Sequence, residues 1–246
     1  MKYKHEDGTP FTKEEFLQKL KTDKEFNEEF GNKGIDQISE LIKQLKENPD
    51  SRRLLVSAWA VHDLPNMVLP PCHYGFQVYT RELSHQERSD LKNSSPYKYG
   101  KPANDRLIDK RLLDSNNVPK RAISLTWNQR SVDVPLGLPF NIASYGLLLE
   151  IIAKLVNMVP DELIGNLGDC HIYENQIDGI REQLNREPYP LSSLRINIEF
   201  WPTQSGECGV GELTDNIDFL IKKMRIDDFQ IENYKSHSVI KIPLSN

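Results

Sequence analysis

The chain has 246 residues, 38% of them hydrophobic and 27% charged, with a formal net charge of −5 at pH 7. Such a chain reads as an ordinary soluble protein able to bury a sizeable core, and it carries no global basic field, so any anionic ligand must be held by local arginines; no nucleic acid partner is expected. Three cysteines, Cys72, Cys170 and Cys208, leave an odd thiol and no paired metal-ligand spacing, which suits a reducing cytoplasm and points to no metal site. No apolar run reaches the ~18 residues of a membrane span and the N-terminus lacks an apolar signal core, so a cytoplasmic protein without a membrane partner is expected.

The first predicted element starts at Thr12, which with Glu15 makes a capping-box pattern ahead of Phe16, Leu17, Leu20, Phe26 and Phe30 at roughly helical spacing. Thr22-Asp23 marks a possible restart, so one or two amphipathic helices are predicted. Gly31-Asn32-Lys33-Gly34 breaks them. A further helix carries Ile35, Ile38, Ile42 and Leu45 on one face and stops at Asn48-Pro49. Two arginines, Arg52 and Arg53, then stand at the entrance to the apolar stretch Leu54–Trp59; in extended backbone they would face opposite surfaces. A loop around His62-Asp63-Leu64-Pro65-Asn66 leads to Leu69-Pro70-Pro71-Cys72-His73. There a cysteine follows a double proline just before the alternating strand Tyr74/Phe76/Val78, and is presented on a rigid turn at the mouth of a sheet. A nucleophile suits that position.

Residues 84–121 form a polar stretch broken by Pro96, Gly100 and Pro102, read as an extended surface excursion between that strand and a second one, Ile123/Leu125/Trp127; its Lys98, Lys101, Arg106 and Lys110 are read as solvated. Asn141 opens a mostly apolar run, Ile142 to Val156, predicted to be a nearly buried helix on the sheet and too short to span a bilayer. The stretch 203–211 is read as a loop whose Gly-x-Gly is too weak for a phosphate cradle, and Phe229–Tyr234 as a closing strand.

Five blocks in order resemble thymidylate synthase: Pro49-Asp50-Ser51-Arg52-Arg53, Leu69-Pro70-Pro71-Cys72-His73, Gln129-Arg130-Ser131-Val132-Asp133, Leu136 to Tyr145, and Gly168-Asp169-Cys170-His171-Ile172-Tyr173. The resemblance covers residues 34 to 246. It implies an α/β (α+β) fold, a large mixed sheet flanked by helices, in a single domain over 1–246 that pairs back to back in a homodimer. It also implies reductive methylation of dUMP to dTMP, a methyltransferase reaction with 5,10-methylenetetrahydrofolate as co-substrate. Cys72 would attack C6 of the pyrimidine. Arg130 and Ser131 would bind the phosphate, with Arg52 and Arg53 donated across the dimer. Asn141, whose amide both donates and accepts, would pair with the O4 and N3–H edge of uracil. His171 and Tyr173, alternating along one strand, would bind the ribose. Asp133, which would also contact the nucleotide, would lie toward the folate with Leu136, Gly137 and Phe140. A thiol at its ordinary pKa is mostly protonated at neutral pH, and guanidinium neighbours favour the thiolate, so Cys72 calls for arginines nearby.

The chain departs from the family pattern upstream of Arg52, where it reads as N-terminally shortened, in the 84–121 insertion, in the polar tail Ile242 to Asn246, and at Gln176, where a second histidine is usual. Two alternatives therefore accompany the enzyme: a degenerate dUMP-binding paralogue or inactive dimer partner without turnover, and a pyrimidine hydroxymethylase.

Overall fold

The computed structural model describes residues 9, 11–30, 34–94, 108–197 and 224–245, with the side chains of 28–30 excepted. Phe30's side chain, Asn32, Pro96, Lys98, Gly100, Lys101, Pro102, Arg106, the 203–211 loop and Cys208 lie outside the described residues. The chain divides into two compact units, Met1–Asp36 and Gln37–Asn246.

In the first unit, helix α1 (Lys13–Thr22) begins on the capping box expected from sequence: Thr12 Oγ1 accepts from Glu15 N at 3.2 Å, and Glu15 Oε2 accepts from Thr12 N at 2.9 Å. Asp23 separates it from α2 (Lys24–Phe30), where the Asp23 carboxylate accepts from Phe26 N. Phe11, Phe16 and Phe26 meet edge to face with centroids 5.4–6.4 Å apart and hold the two helices together.

The second unit is a mixed α/β structure. Helix α3 (Gln37–Glu47) ends where Asn48-Pro49 forbids another turn, and it buries Leu41, Ile42 and Leu45. Strands β1 (Leu55–Ser57), β2 (His73–Glu82), β3 (Arg121–Asp133) and β4 (Val159–His171) form a sheet in that order, antiparallel between β1, β2 and β3 and parallel between β3 and β4. Helix α6 (Gly137–Leu155) makes the crossover that a parallel pair requires. Between β2 and β3 stand α4 (His85–Ser94) and α5 (Lys110–Ser115). After β4 a 3-10 turn (Glu174–Gln176) runs into α7 (Ile177–Leu184), and β5 (Ser193–Ile196) pairs antiparallel with β6 (Phe229–Glu232). The main core lies between the sheet and helices α3 and α6: Leu41, Leu45, Leu54, Val56, Phe76, Val78, Ile123, Leu125, Trp127, Tyr145, Leu149 and Ile152 are its larger members. Each such side chain removed from water contributes about 1.5–3 kcal/mol before entropy is charged.

Several local expectations change. Arg52 and Arg53 lie on a turn, exposed, before β1 begins at Leu55. Tyr74 does not share the inward face of Phe76 and Val78, because a bulge between His73 and Gly75 resets the alternation and leaves Tyr74 exposed. Helix α6 opens at Gly137 rather than after Asn141, so its 19 residues are by length and composition enough to cross a membrane. Only one stripe, Tyr145, Leu149, Ile152, Ala153 and Leu155, is buried on it, while Phe140, Ile142 and Leu147 are exposed: a helix laid on one face of a sheet covers one side of itself.

The 84–121 excursion is also more than a polar loop. Ile108, Leu113 and Val118 bury themselves with Leu91 in a satellite core, and the buried Arg88 donates to the carbonyls of Pro119 and Val118 and to the carboxylate of Asp114 at 2.7 Å. That ion pair and the Ser84 N–H bond to Glu87 hold both carboxyls below the usual carboxylate range, for Asp114 chiefly through Arg88 and for Glu87 chiefly through the Ser84 backbone. Polar composition hid this core because its few apolar residues are spread over a long stretch.

Candidate active site

Sheet register brings the predicted residues to one end. Cys72 immediately precedes β2, whose first residue, His73, pairs with Gln129 on β3; Ser131 pairs with Asp169 and Asp133 with His171 on β4. The carboxyl ends of two parallel strands, the start of an antiparallel one and the N-terminus of α6 thus share one rim, where open α/β sheets bind ligands.

The cysteine turn is strapped to β3 by one residue. Arg130 N donates to Cys72 O at 2.8 Å, its Nε to Pro71 O at 3.1 Å and an Nη2 hydrogen to Pro70 O at 2.9 Å. The prolines stiffen φ, and arginine, with its fork of donors, ties down their carbonyls. Cys72 is partly buried and, like the exposed Cys170, a free thiol. Arg130 is the arginine bonded to the backbone of this turn.

Asn141, in the first turns of α6, has its amide oriented from behind. Gln129, almost fully buried, donates from Nε2 to Asn141 Oδ1 at 3.0 Å and to Ser131 O at 3.0 Å, and accepts from Trp127 Nε1 at 3.2 Å. With Oδ1 tied to Gln129, the oxygen and nitrogen ends of the Asn141 amide are fixed. Trp127 is seated because position 165 is glycine: a Cβ there would lie 2.5 Å from the indole ring. Its ring stacks on Tyr145, centroids 5.4 Å apart, and the Tyr145 hydroxyl meets His73 Nδ1 at 2.9 Å. Burial pushes the Tyr145 phenol up from its ordinary pKa, so it keeps its proton.

On the other side, Asp133 accepts from Leu136 N at 3.3 Å and from Gln176 Nε2 at 3.3 Å. Strand β4 ends at His171, so Tyr173 lies past the strand rather than along it; the two rings still meet edge to face at 4.9 Å. His171 Nδ1 is buried without a hydrogen-bond partner, 3.6 Å from Asp169 Oδ2. Gln176 is fully buried, accepts from Tyr173 N at 3.0 Å and donates to Pro243 O at 3.2 Å as well as to Asp133, so it joins the ribose candidates, the carboxylate and the tail. Leu136 borders a cavity of about 610 Å³ that Gln183, Arg186, His237 and Ile240 also line. Among the described residues no group of three His, Cys, Asp or Glu is arranged to hold a metal.

Arg52 and Arg53 are not brought to this rim. Gln77, whose side chain reaches the Arg52 carbonyl, pairs with Thr126, four residues short of Arg130, so that carbonyl lies on the order of 13 Å down the sheet. Both arginines are exposed, and the Asp50 carboxylate just before them is bonded by Arg121 at the opposite end of β3.

A family model described as thymidylate synthase matches residues 15–246. The chain belongs to the thymidylate synthase family. A protein named "Probable thymidylate synthase" from Escherichia phage T5 is 38% identical over 213 residues, 87% of this chain and 58% of that protein. Thymidylate synthases of Saccharomyces cerevisiae and Mesoplasma florum are each 35% identical, over 219 and 241 residues, covering 89% and 93% of this chain and 57% and 64% of theirs. The chain therefore spans less than two thirds of these relatives' length. Four groups that orient these residues were not foreseen from sequence: Gln129 and Tyr145 inside the family's motif blocks, and Trp127 and Gln176 outside them. The signal available for Gln129 was an amide two positions after Trp127, hence on the same face of the alternating strand.

Proposed function

We propose that the chain methylates dUMP to dTMP, with methylenetetrahydrofolate as the donor of both the carbon and the hydride. Cys72 Sγ adds to C6 of the pyrimidine, which places nucleophilic charge at C5. C5 takes the methylene carbon; the C5 proton then leaves and the bond from that carbon to the folate nitrogen breaks. A hydride from the tetrahydrofolate reduces the resulting exocyclic methylene to methyl, and expulsion of the Cys72 thiolate from C6 releases dTMP and dihydrofolate. Arg130 and Ser131 hold the phosphate, Asn141 the uracil edge, and His171 and Tyr173 the ribose. Asp133, Leu136, Gly137 and Phe140 face the folate; a carboxylate beside an apolar leucine and an exposed phenylalanine suits a flat heteroaromatic ring bearing N–H groups.

The observation that carries the reading is the Arg130 strap across Pro70 and Pro71, which ties the turn bearing the Cys72 thiol to a guanidinium with donors to spare. We read residues 1–246 as one cytoplasmic domain with a surface insertion at 84–121, paired as a homodimer in which Arg52 and Arg53 serve the partner's phosphate.

The test is incubation with fluoro-dUMP and methylenetetrahydrofolate. A covalent ternary adduct that Cys72→Ala abolishes supports the enzyme. Fluoro-dUMP binding without an adduct overturns it in favour of a nucleotide-binding paralogue. Solution sizing checks the dimer: a monomer at micromolar concentration removes the shared arginines from the scheme.

A further inference from the structure

We infer that Tyr145 is a positioning residue that fixes His73 as the Nε2–H tautomer, so that the residue beside Cys72 offers a neutral hydrogen-bond donor to whatever binds on the rim. The inference rests on the nucleotide-binding reading only for its catalytic consequence; the tautomer stands on geometry.

Tyr145 is buried on α6 and boxed in by aromatic rings. It stacks on Trp127 at an interplanar angle of 13°, meets Phe76 edge to face at 6.0 Å and meets His73 nearly perpendicular at 5.6 Å. These contacts leave the phenol one direction, and its hydroxyl sits 2.9 Å from His73 Nδ1. Burial keeps the phenol protonated. A buried O–H without an acceptor is costly, and among the described residues His73 Nδ1 is the one partner of this hydroxyl, so the phenol donates and Nδ1 accepts. A neutral imidazole that accepts at Nδ1 carries its proton on Nε2.

His73 is only partly buried, so Nε2 is the ring nitrogen presented to a ligand. A neutral donor there can bond a ring oxygen in which charge develops during attack at C6, without a formal positive charge that would pair with the thiolate. Such a donor contributes most when its orientation is set before the ligand arrives, and the stacked Trp127–Tyr145 pair sets it.

The direct test is nitrogen-15 NMR of the histidine side chains in the intact chain above the histidine titration range, with His73 assigned by its loss in His73→Gln. A single Nε2–H tautomer in the wild-type protein is expected. An averaged pair of nitrogen shifts, or the Nδ1–H form, overturns the inference without any variant having to fold. In Tyr145→Phe, checked for native circular dichroism, the two nitrogens should move toward the average. Turnover should then fall about tenfold, the effect of one well-placed bond in the transition state, while dUMP binding changes less than about twofold. An unchanged tautomer in that variant overturns the positioning role. Tautomer change without any dUMP binding by the wild type instead defeats the functional reading alone.

Discussion

Gln129→Glu should turn the base preference of the site around. In the wild type the Gln129 amide nitrogen donates to Asn141 Oδ1 and Ser131 O, both at 3.0 Å, while its oxygen accepts from Trp127. A carboxylate still accepts from the indole but has nothing to donate. Asn141 then gains by rotating its amide about 180°, which directs Nδ2 at the new carboxylate and puts an oxygen where an N–H had faced the base. Uracil, with an acceptor at O4 and a donor at N3, now meets like against like at both positions. Each mismatched bond costs about 1–3 kcal/mol. Allowing for partial relaxation, a loss of about 2–4 kcal/mol corresponds to roughly 30- to 700-fold weaker binding of dUMP. Cytosine, with a donor at N4 and an acceptor at N3, matches the rotated amide, so dCMP should gain. Isothermal titration of both nucleotides against wild type, Gln129→Glu and Gln129→Met measures this, with thermal melts to confirm folding. The methionine variant loses the orienting bonds without reversing them and should weaken dUMP without gaining dCMP. A folded Gln129→Glu protein that still prefers dUMP refutes the claim that Gln129 sets the face of Asn141.

Gly165→Ala should destabilise the protein, since its methyl would lie 2.5 Å from an indole that Tyr145 prevents from yielding. Overpacking of this kind costs about 1–3 kcal/mol, read as a fall of roughly 3 °C in the melting midpoint for each. Asp114→Asn should loosen the excursion at neutral pH. The folded Asp114 carboxyl titrates below its ordinary range because Arg88 bonds it, so its contribution is complete above that range and disappears as pH falls through the lowered value. Hydrogen exchange of α4 amides should therefore show acid sensitivity in the wild type that is blunted in the variant. Gly179→Val would bring a side chain within 2.8 Å of Ile242 Cγ1 and should free the tail from α7, seen as faster carboxypeptidase digestion beyond His237.

What sequence reveals here divides by the range of the interactions. The Thr12 capping box and the stop at Asn48-Pro49 were legible because their causes lie within three or four residues. The rim was legible because Cys72, Arg130, Asn141 and His171 sit in blocks whose order resembles a family. The Tyr74 bulge was not, since alternation carries no mark where register slips. Nor was the satellite core of the excursion, which needs Leu91, Ile108, Leu113 and Val118 to meet across a long polar stretch. Gln176 shows the same limit: as a departure from a usual histidine it looked like a loss, yet buried, it ties Tyr173, Asp133 and Pro243 together.

Arg130 offers five N–H donors on its guanidinium, of which Pro70 and Pro71 take two. The other three are directed by the same rigid plane. Sulfur and anion would then be referred to a single frame: thermal motion that shifts the turn shifts the anion seat with it, and their separation varies less than the position of either. Lysine, a point charge on a flexible stem, could serve the carbonyls or the anion but would not keep the two in step, so Arg130→Lys should lose aim sooner than affinity.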